Sequence, residues 1–270
     1  MSLVTDRQVE AWLREDLGHH DVTNHVAGDT VGRLVAKEAG VAAGIDAAVA
    51  VFEYMDVAAE PAVEAGDRVS AGDALLRVEG PARDVLRGER VAVNVAGHAC
   101  GVATRTREAV DAARSVSDDV AVAGTRKTTP GLRGVEKRAV AAGGGDTHRL
   151  DLSHMVMVKD NHVAEMGLEG AVEHFREKAS FATKVEAEVE TPEDGPVAAD
   201  AGADVVLFDN LSPAEVGRGV DLLPEDTLAE ASGGITVDDV PAYAATGVDV
   251  VSMGSLTHSA PALDLSFRTG

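Results

Sequence analysis

Cysteine is all but missing. Cys100 stands alone among 270 residues, which excludes an intrachain disulfide framework and any thiolate-held metal cluster within one chain. Lysine is scarce as well, with 6 against 18 arginines, and 46 Asp+Glu outweigh the 24 Lys+Arg to leave a net charge of −22. A field of that sign repels nucleic acid and anionic membranes, so neither is expected as a partner. Long hydrophobic runs are also lacking. No uncharged stretch exceeds 14 residues, and the one at 91–104 contains Asn94, Gly97 and His98, too short and too polar to span a bilayer. The N-terminal MSLVTDRQVEAWLREDLG carries charge where a secretory signal would be apolar. A cytoplasmic protein is expected. Dense carboxylate with little lysine is tolerable where counterions screen self-repulsion, which points to adaptation to high salt.

What remains is ample for a core: 45% of residues are hydrophobic, and the length allows a small domain plus a barrel-sized one. Leu3, Val9, Trp12 and Leu13 lie at helical spacing, predicting an amphipathic helix over 3–17. Residues 30–85 are short alternating or β-branched pieces split by Gly-Asp and Pro turns, with one helix near 45–55, so a small α+β domain is expected. Within it GDRVSAGDALLRVEG resembles the hairpin of a biotinyl or lipoyl carrier, but no lysine sits at its turn, and a structural hairpin is expected. Residues 89–114 form a helix that is apolar on all sides for most of its first half, as a buried joint would be.

Beyond the joint one pattern repeats: an apolar run, a polar cluster, a helical stretch. The runs begin at Val120, Met155, Thr183, Val205, Thr227 and Val250. Such runs between helices indicate parallel strands covered on both faces. A (β/α) barrel is favoured over a doubly wound sheet, since no Gly-rich dinucleotide turn follows the first strand. In a barrel the chemistry gathers at the C-terminal strand ends, and here all six are polar. The first two are cationic: 124–162 holds seven Lys/Arg against four acids, a positive patch that suggests a ligand with several negative charges. Lys137 and Arg138 are expected to be surface ion pairs; Arg126, Lys127, Arg149 and Lys159 fit that reading poorly. The middle ends carry Glu186, Glu188 and Asp209. Glu186 and Glu188, two apart, share a strand face; with Asp209 they suit Mg²⁺ or ribose hydroxyls, or simple pairing with Lys184 or Lys159. The last ends, Ser232-Gly233-Gly234 and Gly254-Ser255, suit a phosphate held on backbone N–H groups at helix N-termini.

These segments resemble a known family. TRKTTPGLRGVEKRAVAAGGGDTHRLDLSHMVMVKDNHV, GERVAVNVAGHACGVATRT, KVEAEVE, LFDN, EASGGIT and TGVDVVSMGSLTHSAPALDLS are similar to the quinolinate phosphoribosyltransferases, in order along nearly the whole chain, and EDLGHHDVT resembles their N-terminal signature. The resemblance implies transfer of phosphoribosyl to quinolinate with loss of CO₂, giving nicotinate mononucleotide and pyrophosphate, with Mg²⁺. It implies an N-terminal α+β domain at 1–106, an α/β barrel at 107–270 with a return of the last residues to the first domain left open, and a homodimer, or a multiple of it, in which each N-terminal domain covers the partner's site. It assigns the substrate carboxylates to Arg126, Lys127, His148, Arg149 and Lys159, with Arg90 donated by the partner subunit. Lys127, Lys159, Glu188 and Asp209 take the catalytic positions, Glu188 and Asp209 the metal, and Ser232, Gly233, Gly234, Gly254 and Ser255 the 5′-phosphate. Gly124, Arg138 and His154 depart from the usual acid, aromatic and acid. Two alternatives stand beside it: the same fold serving another acid such as nicotinate, or a Schiff-base aldolase using Lys159. Among the other histidines His98 and His258 are expected to be structural, His162 is open, and His19, His20, His25 and His174 belong to the surface.

Overall fold

The structure is a computed structural model that describes residues 4–270; Leu3, expected on the first helix, lies outside them. In chain order the early elements are α1 (Asp6–Leu17), β1 (Asp29–Ala36), β2 (Gly40–Val41), α2 (Ile45–Tyr54), β3 (Ala58–Pro61), β4 (Arg68–Val69), β5 (Ala74–Pro81) and α3 (Ala82–Arg114). They are followed by β6 (Ala121–Ala123), α4 (Arg133–Ala142), β7 (Val156–Val158), α5 (Asp160–Met166), α6 (Leu168–Lys178), β8 (Val185–Val189), α7 (Asp194–Asp200) and β9 (Val205–Asp209). The last are α8 (Pro213–Leu222), β10 (Leu228–Ser232), α9 (Val240–Ala244), β11 (Val250–Ser252), α10 (Ser255–His258) and β12 (Leu265–Thr269). Two compact units result. The first holds Met1–Arg107, Thr129–Gly144 and Ser259–Gly270; the second holds Glu108–Thr128 and Gly145–His258. None of the described helices is long and apolar enough to cross a membrane.

In the first unit a four-stranded antiparallel sheet runs β12-β1-β5-β3, and β2 pairs with β4 separately. α1 starts on a capping box, Thr5 with Gln8, and buries Val9 and Leu13. The hairpin expected over 66–80 does not form. Arg68–Val69 pairs with Gly40–Val41, whereas Ala74–Pro81 pairs with β1 and β3. The turn at 70–73 therefore passes the chain between two sheets. The long helix starts at Ala82, directly after Pro81, rather than at 89, and belongs to the first unit as far as Arg107. Lys137 is not a surface residue: it is buried, 3% exposed, while Arg138 does pair with Asp46 at 3.4 Å. α4 presents both Glu136 and Lys137 to the interior because adjacent helical positions straddle its buried face.

Glu136 is the polar centre of this unit. Wholly buried, it accepts from the Thr129 N–H through both oxygens, at 3.3 and 3.0 Å, and lies 2.8 Å from His98 Nε2. Burial raises its affinity for a proton, but the hydrogen bonds from His98 and Thr129 prevail and its carboxyl sits below the usual range. The depressed folded value means that Glu136 stabilises above the ordinary glutamate pKa, and that this contribution fades as pH falls through the folded value. His98 is thus structural.

In the second unit six parallel strands run β6-β11-β10-β9-β8-β7. That is the cyclic order of a barrel, with the ladder interrupted between β6 and β7. The vacated edge of β6 is taken by a short segment: Ala123 bridges Asp146 in parallel, Asp146 N–H donates to Val122 O at 2.8 Å and Gly124 N–H to Asp146 O at 2.9 Å. Phe208, Val206, Ala187, Ala231 and Val251 are fully buried along the sheet. Glu136→Ala should lower stability by ~2 kcal/mol, the scale of a lost charged hydrogen bond with a donor left unpaired. Thermal melts should show the deficit at pH 7 and its narrowing toward pH 4.

Candidate active site

A parallel strand ends in the same direction as its neighbours, so six short strands deliver six loops to one rim. Here all six line one cavity of about 550 Å³ in the second unit: Thr125 to Lys127 after β6, Lys159 after β7, Glu188 on β8, Asp209 on β9, Ser232 at the end of β10 with Gly233-Gly234 after it, and Gly254-Ser255 after β11. His148 and Arg149 join them from the segment on the β6 edge. Of the residues singled out in the sequence for the site, Glu186 and Arg90 are absent from this lining; Arg90 is the one the resemblance assigns to the substrate. It sits on α3 in the first unit with its side chain 59% exposed and Glu89 at 3.9 Å.

The Lys127 carbonyl accepts from buried Thr257 Oγ1 at 2.6 Å, and the Lys127 stem runs over Gly254, where a Cβ would come within 2.9 Å of Cδ. Arg149 is 8% exposed; its Nη2 points to Met157 Sδ at 3.0 Å, and its Nε, like that of Arg126, is buried without a hydrogen-bond partner. Burial works against the Arg149 charge and Glu186 supports it, with Arg126 opposing and Glu188 and Glu230 supporting. Lys159 pairs with Glu188, as the simpler reading of that acid expects, and its backbone N–H donates to His162 Nδ1 at 3.0 Å, so Lys159 is the N-cap of α5 and His162, in the first turn, satisfies that N–H.

Behind the cations lie two acids. Glu186 is fully buried with neither oxygen hydrogen-bonded, and Glu230 is 2% exposed. His148 Nε2 is 3.0 Å from Glu230 Oε2 and 3.7 Å from Glu186 Oε2. Glu186 therefore pairs with neither Lys184 nor Lys159. Burial, then the Glu230 charge, push its carboxyl up to about 8, against the pull of His148, Arg149 and Lys159. The three ligand atoms lie within 4.8 Å of one another, but Arg149 already supplies positive charge to the same acids.

In the same lining Gly233 and Gly234 adopt φ of 95° and 63°. At Gly233 a Cβ would meet Asn210 N at 2.6 Å and Oδ1 at 2.4 Å, so only glycine fits. This pair makes a turn rather than a helix start, since α9 begins only at Val240; Gly254-Ser255 does lead straight into α10. Ser252 Oγ donates to Ser232 Oγ at 3.0 Å, fixing the hydroxyl beside the glycines. Asp209 accepts from Asn210 Nδ2 at 2.6 Å. With Glu188 it gives two carboxylates facing one cavity, which suits Mg²⁺ completed by substrate oxygens and water. The residues present fit that ion.

Glu230, Ser252 and His258 escaped the sequence reading as site residues, yet all line the cavity. Glu230 was legible: it lies two before Ser232 on one strand and so faces the same way. His258, expected to be structural, follows one short helix after Gly254, a position visible only once α10 is seen to be four residues long.

The sequence comparison now bears on this geometry. The model of the quinolinate phosphoribosyl transferase C-terminal domain matches residues 102–268, and that of the N-terminal domain matches 21–100. The chain belongs to this family. It is 42% identical over 270 residues to the probable nicotinate-nucleotide pyrophosphorylase [carboxylating] of Methanothermobacter thermautotrophicus, covering 96% of this chain and 97% of that one. The human nicotinate-nucleotide pyrophosphorylase [carboxylating] is also 42% identical, over 96% of this chain and 90% of its own. Among solved structures, NadC from Streptococcus pyogenes superposes with a TM-score of 0.89 at 38% identity, over 97% of this chain and 95% of that one. The mixed α/β fold of this family is the fold described above. Gly233→Ala should remove ~2 kcal/mol or more through strain at positive φ and contact with Asn210. Gly254→Ala should instead leave the melting temperature within a few degrees while lowering turnover about tenfold through displaced Lys127. Melting curves and steady-state rates on both variants separate the two effects.

Proposed function

We propose that this chain transfers the phosphoribosyl group of phosphoribosyl pyrophosphate to quinolinate with loss of CO₂, yielding nicotinate mononucleotide and pyrophosphate for NAD biosynthesis. One observation carries the reading: a single cavity gathers Arg126, Lys127, His148, Arg149 and Lys159 together with two glycine-serine turns. A dicarboxylate engages more of these cations than a monocarboxylate can. A monocarboxylate would leave some of them unpaired in a partly desolvated site, an unfavourable arrangement.

The cations hold the pyridine by its carboxylates with the ring nitrogen toward the sugar. Ser232, Gly233, Gly234, Gly254 and Ser255 hold the 5′-phosphate through backbone N–H and hydroxyl donors. Glu188 and Asp209 would hold Mg²⁺, which would neutralise charge developing on the departing pyrophosphate. The ring nitrogen attacks the anomeric carbon as pyrophosphate leaves, through an oxocarbenium-like state. No covalent enzyme intermediate is needed, so orientation and preorganised charge supply the rate. The ring nitrogen then carries positive charge beside the carbon from which CO₂ departs. That charge stabilises the electron pair left behind until a proton takes its place. The cations must hold the carboxylates without over-stabilising the one that leaves.

Schiff-base chemistry on Lys159 requires a neutral amine, and the ion pair with Glu188 speaks against it. The exposure of Arg90 in the first unit fits donation to a second copy's site, and we extend the proposal to a homodimer with shared sites, working in the cytoplasm at high salt. Purified protein mixed at high salt with quinolinate, phosphoribosyl pyrophosphate and Mg²⁺ should release nicotinate mononucleotide and CO₂; turnover with nicotinate alone would shift the assignment to another acid. Arg126→Ala and Lys159→Ala should each cost ~10²-fold in turnover, as loss of a preorganised charge does. Mixing Arg90→Ala with Lys159→Ala should recover part of the rate, and no recovery in verified heterodimers would argue against shared sites.

A further inference from the structure

Resting on the reading above, in which His148 meets a carboxylate of the acceptor, the geometry points to Glu230 as the positioning residue that aims the His148 imidazole and so sets affinity for the dicarboxylate. His148 lies outside any strand with φ of 51°, a left-handed conformation unusual for a residue with a side chain. Its backbone N–H is tied to Asp146 Oδ1 at 2.5 Å, on the segment along the β6 edge. The ring reaches across to β10, where Nε2 meets Glu230 Oε2 at 3.0 Å. A carboxylate only accepts, so the proton of this contact sits on Nε2, and the tilt of the ring is fixed.

The burial of Glu230 supports a purpose beyond packing. Its Oε1 has no hydrogen-bond partner, and its strand neighbours Ala229 and Ala231 are fully apolar core. A buried, half-satisfied carboxylate is less favourable than an apolar side chain of similar volume, so a purely structural position would be better served by leucine. Glu186 approaches the same nitrogen only at 3.7 Å, beyond hydrogen-bond distance. Glu230 therefore carries the orientation.

Steady-state kinetics on Glu230→Leu, Glu230→Gln, His148→Ala and the double variant His148→Ala/Glu230→Leu test this. Glu230→Leu should raise KM for quinolinate tenfold or more while KM for phosphoribosyl pyrophosphate stays within twofold. Glu230→Gln, which keeps an acceptor, should stay within threefold of the parent on both. In the His148→Ala background Glu230→Leu should add less than twofold, because the residue it positions is gone. An unchanged quinolinate KM, an equal rise in both KM values, or full multiplication of the two single effects would overturn the proposal. Should Glu230→Leu fail to fold, nitrogen-15 NMR of the parent decides without substrate: a slowly exchanging His148 Nε2–H, assigned by its loss in His148→Ala, is expected, and its absence overturns the contact. Turnover of a different acid by the parent would sink the quinolinate reading alone, and the same KM split read on that acid would still judge Glu230.

Discussion

The cavity depends on counter-charge buried behind its cations. Arg126, Lys127, Arg149 and Lys159 line one small space, and like charges held together out of water repel. The −22 of the whole chain does not relieve them. Surface carboxylates act through solvent, and in salt near 1 M their field decays within about 3 Å. Glu230, with almost no solvent contact, is screened far less. The electrostatics of the site are therefore local, set by the interior Glu230 and by the Glu188–Lys159 pair, whatever the composition of the surface. A strongly acidic protein can in this way present a cationic pocket to an anionic ligand.

Strand pairing places that pocket. The parallel order carries every C-terminal end to the same rim, and the gap between β6 and β7 leaves an edge on which Asp146 docks. This docking brings His148 and Arg149 to the cations from a stretch with no strand of its own. Two non-glycine residues at the rim, His148 and Asn210, hold positive φ. Such conformations persist where surrounding contacts over-determine them: Asp146 and Glu230 for His148, the close approach of Gly233 for Asn210. The Gly233-Gly234 turn and the acidic strand end are thus interlocked, and neither shifts without the other.

The first unit shows a parallel economy. Glu136, like Glu186, is an acid with no solvent exposure, but it is satisfied by Thr129 and His98. The two glutamates titrate in opposite directions for that reason: hydrogen bonds to the charged form pull one down, and burial beside another acid pushes the other up.

Much of this was legible in the residues alone. Apolar runs bounded by polar clusters located all six parallel strands to within a few positions, because strands buried on both faces need continuous hydrophobic sequence. The polar clusters at their ends named most of the cavity lining, since in such a sheet the ends share one rim. Pairing was not legible. Residues 66–80 look like a hairpin, yet their two strands enter different sheets, because local pattern encodes a strand but not its neighbour. Lys137 reads as solvent-exposed and is buried, because helical phase alone does not say what packs against each face. Glu230 was passed over since its charge ended an apolar run, although the alternation of strand side chains turns it inward. Composition and periodicity thus determined which segments are strands and which of their ends are polar. Only the tertiary structure decided which acid stands behind which cation, since that distance joins residues 82 positions apart in the chain.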